Sequence, residues 1–251
     1  MDSRGYCVMP VLEQVTMEAF DKGRGEHRTV ILPCGALEEH GPHLPLGLDA
    51  LHADALARAV AERTDVWAAP PIYYGLCRSS SMHPGTVGVQ GSALQAMVKD
   101  VVRSLYGWGM RNIVIFSGHA GGTHMAALID AGEQLLPELP EIKLAVLSVL
   151  DLGKKAWEGL LETPGDSHAG EMETSVMLHM HPDWVTGSAP EEYPTFPEHI
   201  LVRNKRAFWT GGVWGNPAPA SAEKGAEFFE RSVNALIELT RKLEAWEEPT
   251  S

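Results

Sequence analysis

Three stretches of the chain gather imidazole and carboxylate groups in loops rich in glycine and proline. The first holds Glu38, Glu39, His40, His43 and Asp49. The second is Ser117-Gly118-His119-Ala120-Gly121-Gly122, and the third runs from Asp166 to Glu173 with His168 and Glu171 between. Side chains of these types ligate divalent metals, and a mixed imidazole and carboxylate set suits Zn, Mn, Fe or Ni without choosing among them. Glu38 and His40, two residues apart, project to one side of an extended backbone. Asp49, at a predicted helix start, can bridge two cations through its two oxygens. Three carboxylates and two neutral imidazoles around two dications leave a net charge of about +1, near neutral once a hydroxide bridges the metals. Five such ligands suit two metals and overfill one.

Ordinary readings cover the other candidates. His27, His52, His181 and His199 read as isolated polar surface residues. Glu39 reads as a solvated or supporting carboxylate, and His124, one turn into a predicted helix, as a packing or capping residue. Met172, Val176, Met177 and Met180 recur three and four apart, which marks a core-facing helical stripe.

The elements that must position these groups alternate along the chain. Residues 29–34 (TVILPC) and 112–116 (NIVIF) are short aliphatic runs of buried-strand type, and 142–150 (IKLAVLSVL) is a third. The stretch 66–74 is a weaker strand candidate because it contains Pro70-Pro71. Residues 49–64 carry helical spacing with Asp49 placed like a cap, and 91–109 is a helix with Leu94, Met97, Val101, Val102 and Leu105 on one face. Residues 123–136 and 168–179 also read as helical. Residues 182–219 form a long Pro-, Gly- and Trp-rich loop. A helix over 221–246 follows, with Ser221 as its cap and Glu223 or Lys224 in its first turn. Strand–helix alternation predicts an α/β fold, three-layer α/β/α with a mostly parallel central sheet, in one domain spanning 1–251. In such sheets ligands bind outside the carboxyl ends of the strands, where all three polar loops fall.

Bulk properties narrow the function classes. Among 251 residues, 44% are hydrophobic and 21% charged, as in ordinary globular proteins. A net charge of -13 argues against nucleic acid or an anionic membrane as partner. Cys7, Cys34 and Cys77 are scattered and odd in number, which suits a reducing compartment. Residues 1–10 lack the apolar stretch of a signal peptide, and no run reaches the roughly 18 apolar residues of a membrane span. The expected location is the cytoplasm.

The run LPCGALEEHGPHLPLGLD resembles the signature of the creatininase (creatinine amidohydrolase) family, G-x-x-E-x-H-G-x-H-L-P-x-x-x-D. SGHAGG and HAGEMETS are similar to its second and third motifs, and His83-Pro84-Gly85-Thr86 to its H-x-G-T-type element. Gly211-Gly212-Val213, Gly215-Asn216-Pro217 and 220–225 resemble a late segment, so the likeness spans about residues 10–245 in order. The resemblance implies a creatininase-like fold, two divalent metal ions (Zn, Mn or Fe), and a homo-oligomer, frequently a hexamer. It assigns Glu38, His40, Asp49 and His119 as ligands, with Asp49 as the bridge. Creatininase proper completes the site with a Glu at the position of Gly121. Relatives with Gly-Gly there take a Glu from the HAGE motif, which makes Glu171 the candidate fifth ligand.

Lacking a Glu at 121, the chain is expected not to hydrolyse creatinine itself. Ser117, Leu48 and Thr123 are further departures that bear on hydrogen bonds around the ligands. The expected activity is metal-dependent hydrolysis of a C–N amide-type bond in a small molecule, a cyclic amide or formamide. The alternatives are a peptidase trimming a small modified peptide and a non-catalytic binding member of the family. His168 is expected to stabilise the tetrahedral intermediate or pass a proton to the leaving nitrogen, and Glu173 to orient His168 or carry the proton. His43 and His83 are candidate substrate contacts. A one-metal non-haem iron oxygenase needs two His and one carboxylate, which would leave two carboxylates without a task.

Overall fold

The computed structural model describes residues 11–249. Cys7 and the leader expectation for residues 1–10 lie outside the described residues. Four parallel strands form one sheet in the order β2-β1-β3-β4, with β1 Thr29–Cys34, β2 Trp67–Ala68, β3 Asn112–Ser117 and β4 Lys143–Ser148. Thr29 pairs with Asn112 and Asn112 with Lys143, so the three long strands run in step to Cys34, Ser117 and Ser148.

Every residue of β1 is buried because both faces of the sheet are covered. Side-chain alternation sends Ile31, Val114 and Phe116 to one face and Val30, Leu32, Ile113 and Ile115 to the other. On the first face lie α2 (Leu48–Arg63), α5 (Val149–Ala156), α6 (Glu171–Met180) and α7 (Ala222–Glu244). On the second lie α3 (Gly91–Gly107) and α4 (Gly122–Leu135), with Phe20 of the short α1 (Met17–Gly23) at the margin. This is the expected α/β/α sandwich. Ser221 caps α7, its Oγ accepting the Lys224 N–H at 3.2 Å.

Several boundaries differ from the sequence reading. The 66–74 run pairs regularly only at Trp67–Ala68, since Pro70 and Pro71 offer no N–H to a ladder. The 142–150 run stops at Ser148, whose hydroxyl and Asp151 form a reciprocal capping box that opens α5. Met97, placed on the apolar face of α3, is 55% exposed. Asp49 lies inside the first turn of α2, with Gly47 at the cap position.

Candidate metal centre

β1 leads through α2 to β2 on one side, whereas β3 lies on its other side, so the direction in which successive strands are added reverses between β1 and β3. A crevice opens at their carboxyl ends, the usual ligand position in such sheets. The loop after β1 brings Glu38 and His40, the loop after β3 brings His119, and the first turn of α2 brings Asp49. Two glycines allow that helix start to sit against both strand ends. A Cβ on Gly35 would lie 2.3 Å from the Ala50 nitrogen, and one on Gly118 2.0 Å from the Asp49 carbonyl oxygen.

Asp49 occupies the middle of the cluster. Its Oδ1 lies 3.2 Å from His40 Nε2 and its Oδ2 3.3 Å from His119 Nδ1. Glu38 Oε2 approaches the same His119 nitrogen at 2.8 Å, and Glu173 Oε2 lies 3.8 Å from His40 Nε2. Two half-sites result, Glu38–Asp49–His119 and His40–Asp49–Glu173, sharing one carboxylate. All five side chains are buried. His40 Nδ1 lies 3.0 Å from the Glu38 carbonyl, which accepts its N–H and so directs Nε2 toward the cluster as the atom free to ligate. Ser80 Oγ donates to Glu38 Oε1 and fixes that carboxylate from behind.

Glu38 Oε2, His40 Nε2 and Asp49 Oδ2 are buried without an aligned hydrogen-bond partner among the described residues. Buried charges left this way cost several kcal/mol each unless an ion or a proton compensates them. The donor set therefore fits divalent metals. In the metal-free chain protons take that part. Burial works against a charged His40, but Asp49, Glu173 and Glu38 outweigh it and raise its pKa to about 10. Burial pushes the Glu173 carboxyl up to about 8, with His40 opposing. Glu38 goes the other way: burial would raise it, but His119 holds it at about 2.

Glu171 lies apart from this cluster. Its carboxylate accepts the backbone N–H groups of Glu162 and Thr163, at 3.0 and 2.7 Å, and pairs with Lys224 Nζ at 2.7 Å. The physical reason is helix phase. Glu171 and Glu173 open α6 two residues apart, about 200° around the axis, so they point in nearly opposite directions. Glu173 faces the cluster and its Oε2 also accepts the Ala169 N–H.

A cavity of about 390 Å³ opens onto Glu38, Asp49, His119 and Glu173, with His168 on its wall. His168 stacks on His40 with ring centres 4.2 Å apart, and one of its ring nitrogens groups with Glu38 and His40 within 4.8 Å. His168 Nε2 lies 2.7 Å from the Glu39 carbonyl, which requires the proton on Nε2 and leaves Nδ1 as the basic atom. Burial and the nearby His40 lower its pKa to about 4, so the ring is neutral near pH 7. Arg78, Lys205, Trp209 and Trp214 complete the outer wall.

Neither His43 nor His83 lines the cavity. His43 Nε2 meets Thr174 Oγ1 at 2.9 Å, tying the β1 loop to α6, and His83 Nε2 meets the Trp209 carbonyl at 2.8 Å. Glu39 is buried, not solvated, accepting the Gly41 N–H at 3.0 Å with His83 and His168 each 3.7 Å away. His52 is also buried, because α2 packs most of its circumference and helix position decides the matter. His124 is structural: its Nδ1 accepts the Leu76 N–H, so Nε2 donates to Ser117 Oγ, which donates to the His119 carbonyl. Sequence reasoning left Lys205 unassigned and placed Ser80 only in a loop, with Arg78, Ser79 and His83, that could line the pocket; nothing in the local spacing marks either residue.

The family model described as creatinine amidohydrolase (Creatininase) matches residues 13–240. A mycofactocin precursor peptide peptidase from Mycobacterium ulcerans (strain Agy99) is 31% identical over 252 residues, covering 94% of each chain. A crystal structure of creatinine amidohydrolase (creatininase) has a TM-score of 0.85 at 25% identity, covering 94% of this chain and 99% of that one. A mutant creatininase of Zn–Zn type has a TM-score of 0.83 at 27% identity, covering 92% and 97%. With a metal-shaped cluster at the family's motif positions, the chain belongs to the creatininase family and is a metal-dependent hydrolase of C–N bonds.

Proposed function

We propose that the chain hydrolyses an amide-type C–N bond of a small molecule at a two-metal centre held by Glu38, His40, Asp49, His119 and Glu173. The central position of Asp49, one oxygen toward each half-site, carries this reading. Two Zn, Mn or Fe ions held by these residues would supply Lewis acidity and a water acidic enough to be hydroxide near neutral pH. His168, neutral and with Nδ1 unprotonated, is suited to take a proton at that atom and return it to the departing nitrogen. Its hydrogen bond to the Glu39 carbonyl fixes both tautomer and ring direction. Trp209 and Trp214 shield the cavity from bulk water and offer apolar surface to the substrate.

Gly121 argues against creatinine as the substrate. A Cβ there would lie 2.5 Å from His119 Nε2, so a Glu at this position does not fit beside His119 in its present orientation. A second reading, trimming of a short modified peptide, is favoured by the 31% identity to a precursor peptide peptidase across 94% of the chain. Either way the reading includes a cytoplasmic homo-oligomer, a hexamer by family resemblance, which sedimentation analysis tests.

The first test is metal content of protein purified without chelator, beside Glu38→Ala, His119→Ala and Glu173→Gln. About two metals per chain, falling in all three variants, is the expected result. Two metals retained in Glu173→Gln removes Glu173 from the ligand set, and no metal in any preparation removes the centre altogether.

A further inference from the structure

Cys34 and Cys77 are both buried, but in different company. Cys34 belongs to the apolar cluster between the sheet and α3 and α4. Cys77, only 4% exposed, belongs to none of the three apolar clusters. Its Sγ instead groups with a Glu38 carboxylate oxygen and a His119 ring nitrogen, all within 4.8 Å of one another. No hydrogen bond to that sulfur is present among the described residues. Glu38 Oε2, a buried oxygen of the same group's carboxylate, also lacks an aligned partner.

The backbone that carries Cys77 is tightly held. A Cβ on Gly75 would lie 2.5 Å from the Gly35 carbonyl oxygen, so residue 75 rests directly on the chain leaving β1. The Leu76 N–H donates to His124 Nδ1 at 3.1 Å, and the Val89 N–H to the Gly75 carbonyl at 2.9 Å. The thiol is thus delivered to the Glu38–His119 half-site by a pinned segment rather than a loose loop.

We propose that Cys77 is a sixth protein ligand of the centre, binding as the thiolate on the half-site of Glu38, Asp49 and His119. The proposal rests on the two-metal reading above. On metal binding the S–H bond breaks, its proton leaves to solvent, and the sulfur lone pair forms the bond to the metal. Three carboxylates and one thiolate then balance two dications. Four protein ligands on this half-site would still admit one water, by an expansion to five ligands that catalytic zinc can undergo. The chemical consequence is metal choice. A soft thiolate favours zinc or cobalt at this half-site over manganese or magnesium, whereas the His40–Asp49–Glu173 half-site offers only nitrogen and oxygen. The two positions become chemically distinct, as two identical carboxylate–imidazole sites would not be.

Cobalt(II) substitution tests this without a substrate. Metal-depleted protein is loaded with cobalt, bound cobalt is counted by elemental analysis, and the near-ultraviolet spectrum is read for a sulfur-to-cobalt charge-transfer band. The band is expected in the wild type and in Cys34→Ser, and its loss in Cys77→Ser while cobalt remains bound. Competition between zinc and manganese gives a second reading: Cys77→Ser should shift occupancy toward manganese relative to wild type. Cobalt bound without the band, or a band that persists in Cys77→Ser, overturns the thiolate ligand and leaves the two-metal reading standing. Failure to bind any cobalt overturns both.

Discussion

Glu171 and Glu173 offer a direct separation of a stabilising role from the proposed metal-binding role. In Glu171→Gln the shape and one acceptor oxygen survive, but the negative charge that holds Lys224 and the Glu162 and Thr163 N–H groups is lost. Breaking a fully buried ion pair costs about 3–5 kcal/mol, and a hydrogen bond to a charged group is worth about 1.5–3. Lys224 is 20% exposed and keeps Glu162 as a partner, so the lower range applies. We expect a loss of about 2 kcal/mol, and at about 2–4 °C per kcal/mol for a chain of this size, a fall in Tm of about 4–8 °C. Metal content should stay at the wild-type value. Glu173→Gln should do the reverse. Its carboxyl, raised to about 8, is largely protonated near neutral pH in the metal-free chain, so an amide replaces a neutral acid at little cost. Thermal unfolding of metal-free and metal-loaded protein, with elemental analysis on the same samples, measures both quantities. Loss of metal in Glu171→Gln at an unchanged Tm would refute the assignment.

The remaining expectations follow from the same geometry. Metal-free protein should lose stability as pH rises from about 7 toward 10. His40, at about 10 against 6.5, and Glu173, at about 8 against 4.5, both hold protons more tightly folded than unfolded, so their contribution is full below the ordinary values and is lost as pH rises through about 8 and 10, whereas below about 6.5 the buried neutral His168, at about 4, acts in the opposite direction. Metal-loaded protein, with those protons displaced, should lack this fall when Tm is followed across the same range. Gly118→Ala drives a Cβ to 2.0 Å from the Asp49 carbonyl, so it should cost about 3 kcal/mol or more and reduce metal content with it. An unchanged Tm there would mean that the start of α2 is not held against β3. His168→Ala should retain both metals while kcat falls by about 10²–10⁴ once a turnover assay is in hand. A fall in metal content instead would make His168 a ligand.

The framework was legible because burial leaves a mark in local composition. β1 and β3 are covered on both faces, and their runs of Val, Ile and Leu announce this without any partner in view. What failed were features set by a single side chain or a missing N–H. Ser148 ends β4 inside an aliphatic run that would otherwise continue, and Pro70-Pro71 cuts β2 to two residues. Neither His52 nor Glu39 carries any local sign of burial, since the layers that cover them come from distant parts of the chain.

The proposed fifth ligand shows where sequence reading reaches its limit. Motif likeness located Glu38, His40, Asp49 and His119, and the structure draws these four together. Glu171 and Glu173 are both acids in the first turn of one helix, equivalent in composition and nearly so in position. Only the phase of α6 against the sheet separates them, and that phase is set by contacts remote in sequence. The Ser175 carbonyl lies 1.9 Å from where a Gly225 Cβ would sit, so α6 and α7 touch backbone to backbone at this point. Lys224, beside that contact, takes Glu171, while the opposite side of the turn presents Glu173 to His40. A Gly225→Ala variant should therefore rotate or shift α6 and lower both stability and metal content, although residue 225 touches none of the proposed ligands. Normal metal content in that variant, measured on folded protein, would mean that Glu173 is positioned by its own loop and not by the packing of α7.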